Sequence, residues 1–352
     1  LLTIDAGMGK VRSMANPDGL KSELENALAA SSGAVVTVQR LQPVAGGASQ
    51  DVWLLDVHLS GGPLAGEHAL IMRRSLGNKL DALALDLPAE YAVLRAAHAA
   101  AVPVPRPFAL LQDVAGQPAL LMQRLSGETL GRRIVKDARL AYAREVLPEQ
   151  MGQALAAIHS IDLHNPELAS LPAPPPGWSP AQDTISRLYA YLEQSDEPHP
   201  VLELALRWLK LHEPPACPPV LVHGDFRLGN VVVDDCGLVG VLDWEFTHIG
   251  DPAEDLAWPL LRDWRFGVDE RHFAGVGDLM PFMTAYIATG GRAIEPERVF
   301  YWEVLGNVRW AVGTLRQARR HLGGAAPNLE FASLGRRCAE MELEILRLLK
   351  DR

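Results

Sequence analysis

Three cysteines among 352 residues, Cys217, Cys236 and Cys338, are odd in number and far apart. That excludes a disulfide framework, and no pair has the close spacing of a metal site. They read as reduced thiols, which points to a cytoplasmic protein. No apolar run reaches the roughly 18 residues of a membrane span, so no membrane partner is expected. Leu1 to Arg12 lacks a basic start followed by an apolar core, so no signal peptide is expected. Basic residues are in deficit: 33 Lys and Arg face 43 Asp and Glu, a formal net charge of -10. Nucleic acid and anionic membranes need a basic surface, so neither is expected as a partner. The acidic balance is compatible with a cationic small molecule. Histidines with metal-ligand spacing are missing, which argues against a metallohydrolase. Internal repeats are missing too.

The composition that remains, 48% hydrophobic and 22% charged, is that of an ordinary globular chain. Its length suits two domains or one large bilobed one. Leucine spacing predicts a helix from about Asn16 to Ala30. Strand patterns follow at Val35–Val38, Val52–Val57 and Ala69–Arg73, with Gly46-Gly47-Ala48-Ser49 between the first two. A helix near Ala89 to Ala100 stops before Pro103 and Pro105. Phe108–Leu111 and Ala119–Met122 complete a small antiparallel sheet, and Gly127 marks the exit from it. Beyond it the pattern is mainly helical: Met151–Ile161, Asp183–Glu193, Val201–Leu211, and the remainder after Leu242 to Arg352, with a break at Gly323-Gly324. Short strands interrupt it at Val220–Val222, Val231–Val233 and Leu238–Leu242, the last two joined by the turn Asp234-Asp235-Cys236-Gly237. The fold class expected is α+β and bilobed. Residues 1–125 would be a nucleotide-binding lobe with a leading helix, and residues 126–352 a catalytic and substrate-binding lobe.

The most informative stretch is Val222-His223-Gly224-Asp225-Phe226-Arg227-Leu228-Gly229-Asn230, followed by Leu242-Asp243-Trp244-Glu245. Asn230 lies five residues after Asp225 and Asp243 thirteen after Asn230. That is the spacing of a protein-kinase catalytic loop and its metal-binding Asp. With Gly250-Asp251-Pro252, Asp255-Leu256-Ala257, Met72-Arg73-Arg74, Glu90-Tyr91 and Val102-Pro103-Val104-Pro105, the chain resembles the aminoglycoside phosphotransferase and choline kinase branch of the protein-kinase-like fold. It is most similar there to the phosphotransferase domains related to those fused to certain acyl-CoA dehydrogenases. The resemblance runs from about residue 40 to about residue 320.

That resemblance implies an ATP- or GTP-dependent, Mg²⁺-dependent phosphotransferase acting on the hydroxyl of a small molecule. Phosphoryl transfer asks for in-line positioning and charge compensation rather than covalent help. Asp225 would accept or orient the proton of the acceptor hydroxyl. Asn230 and Asp243 supply hard oxygen ligands suited to Mg²⁺. Arg227 stands where protein kinases have a Lys near the transferred phosphate, and it would stabilise transition-state charge or serve as a structural partner of an acid. Gly46, Gly47 and Ser49 would cover the phosphates with backbone N–H groups. Arg73 would take the place of the small-lobe Lys, using a bidentate fork, with Glu90 as its partner. Arg74, next along the strand, would point to the opposite face. The link holding Gln123 and Leu125 would lie against the nucleotide base through backbone groups. His223 would orient the loop, Asp255 would brace it, and Asp251 would cap a helix. The aromatics from Tyr301 to Trp310 read as core packing, with a substrate-pocket wall as the alternative.

Several departures matter. The chain has no small-lobe Lys, no G-x-G-x-x-G loop, H-G-D in place of H-R-D, D-W-E in place of D-F-G, and no A-P-E segment. The last three argue against a protein kinase. The missing Lys keeps open a second function, a catalytically weak nucleotide-binding pseudoenzyme or regulatory module. The acceptor is not specified by these motifs: aminoglycosides, other cationic alcohols and hydroxyacyl thioesters all remain. Oligomeric state is not specified either.

Overall fold

The computed structural model describes residues 17–44, 50–75, 84–195, 197–324, 329–350 and 352. These residues form two compact units. The first runs to Tyr91 and includes Pro105–Arg124; the second comprises Ala92–Val104 and Leu125–Arg352.

In the first unit, helix α1 (Pro17–Ser32) precedes three strands, β1 (Val35–Pro43), β2 (Gln50–Ser60) and β3 (Gly66–Ser75). Helix α2 (Leu87–Ala99) starts in this unit, and β4 (Pro107–Leu111) and β5 (Ala119–Gln123) close its sheet. The sheet is antiparallel throughout, in the order β1-β2-β3-β5-β4. Leu20, Leu24 and Leu28 recur every fourth residue, so they share one face of α1. All three are buried against Val38, Leu55, Val57, Leu70, Met72 and Leu121. Each such side chain contributes about 1.5–3 kcal/mol on burial. A second tie joins helix to sheet: the Val38 N–H donates to Glu25 Oε1 at 2.8 Å.

Strand β3 sets the two arginines apart. Successive side chains of a strand point to opposite faces. Leu70, Met72 and Arg74 are buried, while Ile71 and Arg73 are half-buried on the other side. Arg74 sits across from Asp51 in the β2–β3 register. It is held there by Nε and Nη2 bonds of 3.1 and 2.7 Å to Asp51 Oδ2 and by a bond to the Val114 carbonyl.

The second unit carries α3 (Gly131–Ile134), α4 (Ala141–His159), α5 (Pro180–Glu193), α6 (Pro200–Leu211), the strands β6 (Val220–Val222), β7 (Val231–Asp234), β8 (Gly237–Val241) and β9 (His248–Gly250), then α7 (Pro252–Ala257), α8 (Leu279–Ala288), α9 (Pro296–Leu322), α10 (Leu329–Gly335) and α11 (Cys338–Leu349). Two features depart from the sequence expectation. Helix α4 begins ten residues earlier than Met151, accommodating Pro148 within it. The chain after Asp243 is also less helical than expected, because β9 pairs with β6 and short 3₁₀ turns occupy Trp258–Leu260 and Arg262–Arg265. A three-residue strand defined by a distant partner has no periodicity to read.

Gly127 enters this unit in a conformation closed to other residues. Its φ is +150°, and a Cβ there would lie 2.7 Å from Val232 Cγ1 and 2.8 Å from the Val233 carbonyl oxygen. That close approach lets Glu128 pair with Val233 through two backbone bonds of 2.8 and 3.0 Å. The strand β7, which follows Asn230, is thereby fixed on both edges, by Glu128 and by β8.

Candidate functional site

The loop between β6 and β7 holds His223, Asp225, Arg227 and Asn230. Its sharp turn is at Gly224, with φ +82° and a Cβ position 2.3 Å from the Phe246 carbonyl oxygen. Any side chain at 224 meets both the strain of the left-handed region and that carbonyl.

Asp255, on α7, anchors the turn. It is completely buried. Its Oδ2 accepts the His223 N–H at 2.7 Å and its Oδ1 the Gly224 N–H at 2.9 Å. His159 Nε2 reaches Oδ2 at 3.3 Å, while its Nδ1 meets the Tyr286 hydroxyl at 2.8 Å. Burial opposes the charge on Asp255, but His159 and the His223 N–H outweigh it and hold the carboxyl below its ordinary range. The bracing expected of Asp255 is thus met by two backbone donors and an imidazole. Asp251 likewise caps α7, accepting the Ala253 N–H at 2.9 Å, and is gripped by Arg298 from α9.

His223 is buried between the loop and Trp244, with ring centroids 4.6 Å apart. Its tautomer follows from its partners. The Asp225 N–H donates to Nδ1 at 3.2 Å, so Nδ1 is the acceptor; Nε2 then carries the proton and donates to the Leu242 carbonyl at 3.0 Å. Burial lowers its pKa despite the surrounding carboxylates, so the ring is neutral. It links the Asp225 backbone to the residue before Asp243, and it does not reach outward.

Asp225 is held by three side-chain donors. Arg227 Nε and Trp258 Nε1 donate to Oδ1 at 2.9 and 2.6 Å, and Asn230 Nδ2 donates to Oδ2 at 2.6 Å. Asn230 Nδ2 also donates to the Asp225 carbonyl at 3.0 Å. Both atoms facing that amide are acceptors, so its nitrogen must face Asp225 and its oxygen Oδ1 turns the other way. Arg227 stacks over Trp264 at 4.3 Å from the ring centroid. Asp243 follows β8 with φ +65° and ψ +66°, left-handed geometry that Asp tolerates better than most residues.

Two contributors were missed by the sequence reading. Trp258 lies 33 residues beyond Asp225 and Arg309, on α9, lies 85 beyond Gly224. Arg309 donates to the Gly224 carbonyl at 2.6 Å and to Glu254 at 2.5 Å, and stacks on Trp258 at 4.7 Å. Glu254 also meets His248 at 3.1 Å; burial works against charge on His248, but Glu254 raises its pKa overall. For Trp258, one turn after Asp255 on the same stretch, the helical spacing alone offered a hint.

The aromatics of α9 pack in two separate places. Tyr301 and Trp302 are core residues. Trp310 instead packs against Trp264 with centroids 4.8 Å apart, joining Trp258 and Leu261 in a separate cluster beside Asp225.

In the first unit, Arg73 and Glu90 form the expected ion pair between β3 and α2, with Glu90 almost fully buried. Gln123 ends β5, where its N–H donates to the Arg106 carbonyl at 2.9 Å and its side-chain oxygen accepts the Arg106 N–H at 3.3 Å. The Gln123 N–H is therefore already engaged within the sheet. Leu125, half-buried, opens the second unit. Gly46, Gly47 and Ser49 lie outside the described residues. No helix among the described residues is long and apolar enough to cross a membrane.

Comparison with known proteins agrees with this fold. Among solved structures, a candidate aminoglycoside phosphotransferase from Ralstonia eutropha superposes with a TM-score of 0.74 at 22% identity, over 94% of this chain and 98% of that one. The GDP complex of an aminoglycoside 2'-phosphotransferase gives 0.62 at 15% identity, over 92% and 98%. A spectinomycin phosphotransferase bound to ADP and spectinomycin gives 0.60 at 13%, over 93% and 98%. At these identities the likeness establishes the shared kinase-like α+β fold. Among curated proteins, mouse acyl-CoA dehydrogenase family member 10 is 33% identical over 204 residues, 55% of this chain and 18% of its own length. Chicken acyl-CoA dehydrogenase family member 11 is also 33% identical, over 205 residues, 55% of this chain and 25% of its own length. The chain therefore matches only a fifth to a quarter of those longer relatives. A family model described as the phosphotransferase enzyme family matches residues 40–286, and the chain belongs to that family.

Proposed function

We propose that the protein transfers the γ-phosphoryl group of ATP or GTP to the hydroxyl of a small molecule, with Asp225 handling the acceptor's proton. The observation that carries this reading is the state of the Asp225 carboxylate. A carboxylate offers about four acceptor sites. Arg227 and Trp258 occupy Oδ1, and Asn230 occupies one site of Oδ2. The remaining site on Oδ2 is the position for an acceptor hydroxyl, whose proton passes to that oxygen as its own oxygen attacks phosphorus. The three donors hold the carboxylate in one orientation before substrate arrives, which is where a positioned base gains its effect.

Arg227 keeps its guanidinium beside Asp225 by stacking on Trp264. From there it offers positive charge to the transferring group. Arg73, oriented by Glu90, binds nucleotide phosphate through its fork. Gly46, Gly47 and Ser49 contribute backbone donors to the same phosphates, and the link around Gln123 and Leu125 supplies backbone contacts to the base. Because the Gln123 N–H is engaged by Arg106, Leu125 is the stronger of the two for that role. Asp243 and the outward-turned Oδ1 of Asn230 are hard oxygen donors and fit Mg²⁺. When bound, the ion offsets charge on the nucleotide phosphates.

The acceptor is a hydroxylated small molecule. The solved neighbours direct the search toward aminoglycosides and the acyl-CoA dehydrogenase relatives toward hydroxyacyl thioesters; the resemblance to choline kinases adds amino alcohols. The test is Mg²⁺-dependent transfer of labelled γ-phosphate from ATP to a pooled library of those three classes, with Asp225→Asn in parallel. A labelled product made by the natural protein and missing with the variant is the expected result. Product formed equally by both would remove Asp225 from the mechanism.

A further inference from the structure

Far from Asp225 in sequence, the second unit brings together three side chains of different chemistry. His199 immediately precedes α6, and Cys338 and Glu342 lie one turn apart on α11. One ligand atom from each, an imidazole nitrogen, the thiol sulfur and a carboxylate oxygen, lies within 4.8 Å of the other two. His199 Nδ1 and Glu342 Oε1 are 3.6 Å apart. Cys338 is buried, and the side chains of His199 and Glu342 are only 11% and 24% exposed.

We infer that His199, Cys338 and Glu342 form a binding site for a zinc-type divalent cation that fastens α11 to the start of α6. Spacing on α11 gives the first reason. Residues four apart on a helix project side by side, so the thiol and the carboxylate converge from one rigid element while the imidazole comes from another. A simple ion pair needs only the imidazole and the carboxylate; the thiol on the same side is the additional group. Ligand type gives the second reason. Thiolate with imidazole selects zinc and its late first-row neighbours over Mg²⁺ or Ca²⁺, which prefer all-oxygen shells.

Ligand atoms around tetrahedral zinc lie about 3.5 Å apart. The present spread of up to 4.8 Å would have to close by about 1 Å on binding. Three protein ligands leave the fourth position to water. The site is separate from the residues proposed for phosphoryl transfer, so its role is to hold the C-terminal helix in place. This inference does not depend on the catalytic reading.

The test uses the full chain, stripped with a chelator and titrated with Zn²⁺ against a chromogenic competitor, with Co²⁺ as a spectroscopic substitute. The expected result is one Zn²⁺ per chain, a thiolate-to-cobalt charge-transfer band in the near ultraviolet, and a higher Tm with Zn²⁺ than without. Cys338→Ala removes the band, Glu342→Gln weakens binding at least about tenfold, and Asp243→Asn changes neither. If Cys338→Ala does not fold, Glu342→Gln, at a partly exposed position, decides alone. Absence of stoichiometric Zn²⁺ binding, or binding unchanged in Glu342→Gln, would overturn the inference.

Discussion

The loop after β6 and the strand β3 each hold a charged side chain proposed for the chemistry, yet they do so by opposite means. On β3 the alternation of a strand is enough: Arg73 faces one way toward Glu90, and Arg74 faces the other toward Asp51. Each arginine needs one acid. The loop instead draws on four separate elements. Asp255 comes from α7, His159 from α4, Arg309 from α9, and Trp258 from the turn after α7. A strand supplies direction through its regular backbone, whereas an irregular loop must be given direction by side chains. A base that takes a proton in the transition state has to be fixed more tightly than a cation that follows a phosphate.

The sharpest way to test that contrast is to remove the chemistry and keep the shape. Asp225→Asn preserves size and leaves the donors of Arg227 and Trp258 an acceptor, so the fold should survive. Turnover should fall about 10²- to 10⁴-fold, measured with whichever acceptor the transfer assay yields. A loss smaller than that would mean that Asp225 orients the substrate rather than taking its proton.

Removing the anchor tests the other half. Asp255→Ala would leave two buried N–H groups and an imidazole without their acceptor. The expected cost is about 3–5 kcal/mol, read as a lower denaturation midpoint, with loss of activity as the loop relaxes. Asp51→Ala, the matching change for β3, takes one partner from the buried Arg74, which keeps the Val114 carbonyl, and should cost about 1.5–3 kcal/mol.

Helix α9 offers a graded perturbation, because it carries Arg309 and also Glu303. Burial pushes the Glu303 pKa up from 4.5 to about 7, partly offset by Arg265. The folded protein therefore keeps that proton at pH values where the unfolded chain has lost it. Stability falls as pH rises from about 4.5 to about 7 and levels off above, a swing on the order of 3 kcal/mol. Glu303→Gln should abolish the swing and raise Tm most above pH 7. Thermal melts across that range, for both proteins, are the measurement.

The smallest effect separates the two arginines. Arg73→Met should raise the KM for nucleotide roughly tenfold and also lower Tm, because the buried Glu90 loses its arginine. Arg74→Met should lower Tm and leave that KM alone, at a cost of about 1–2 kcal/mol. The reverse result would exchange their assignments.

The same contrast explains how far the sequence could be read. The opposite facing of Arg73 and Arg74 on β3 followed from period two; which of the two meets nucleotide phosphate did not. The spacing of Asp225, Asn230 and Asp243, and the placing of Asp251 and Asp255 at the opening of α7, followed from motif and capping chemistry. The strand β9 did not, because three residues paired to Val220–Val222 have no period of their own. Trp258 and Arg309 did not, because their partners lie 33 and 85 residues away and only the folded chain brings them near. Nor did the meeting of His199, Cys338 and Glu342, since 139 residues separate His199 from Cys338.

Asp243 carries a consequence for the history of such a protein. A residue with a Cβ held at φ +65° costs the fold on the order of 1–3 kcal/mol relative to an unstrained position. Glycine there would relieve the strain and delete the carboxylate together. Selection for thermal robustness alone would therefore favour Gly at 243, and selection for turnover would forbid it. In a mutant library sorted first by heat and then by product formation, position 243 should be enriched in Gly in the first sort and emptied of it in the second.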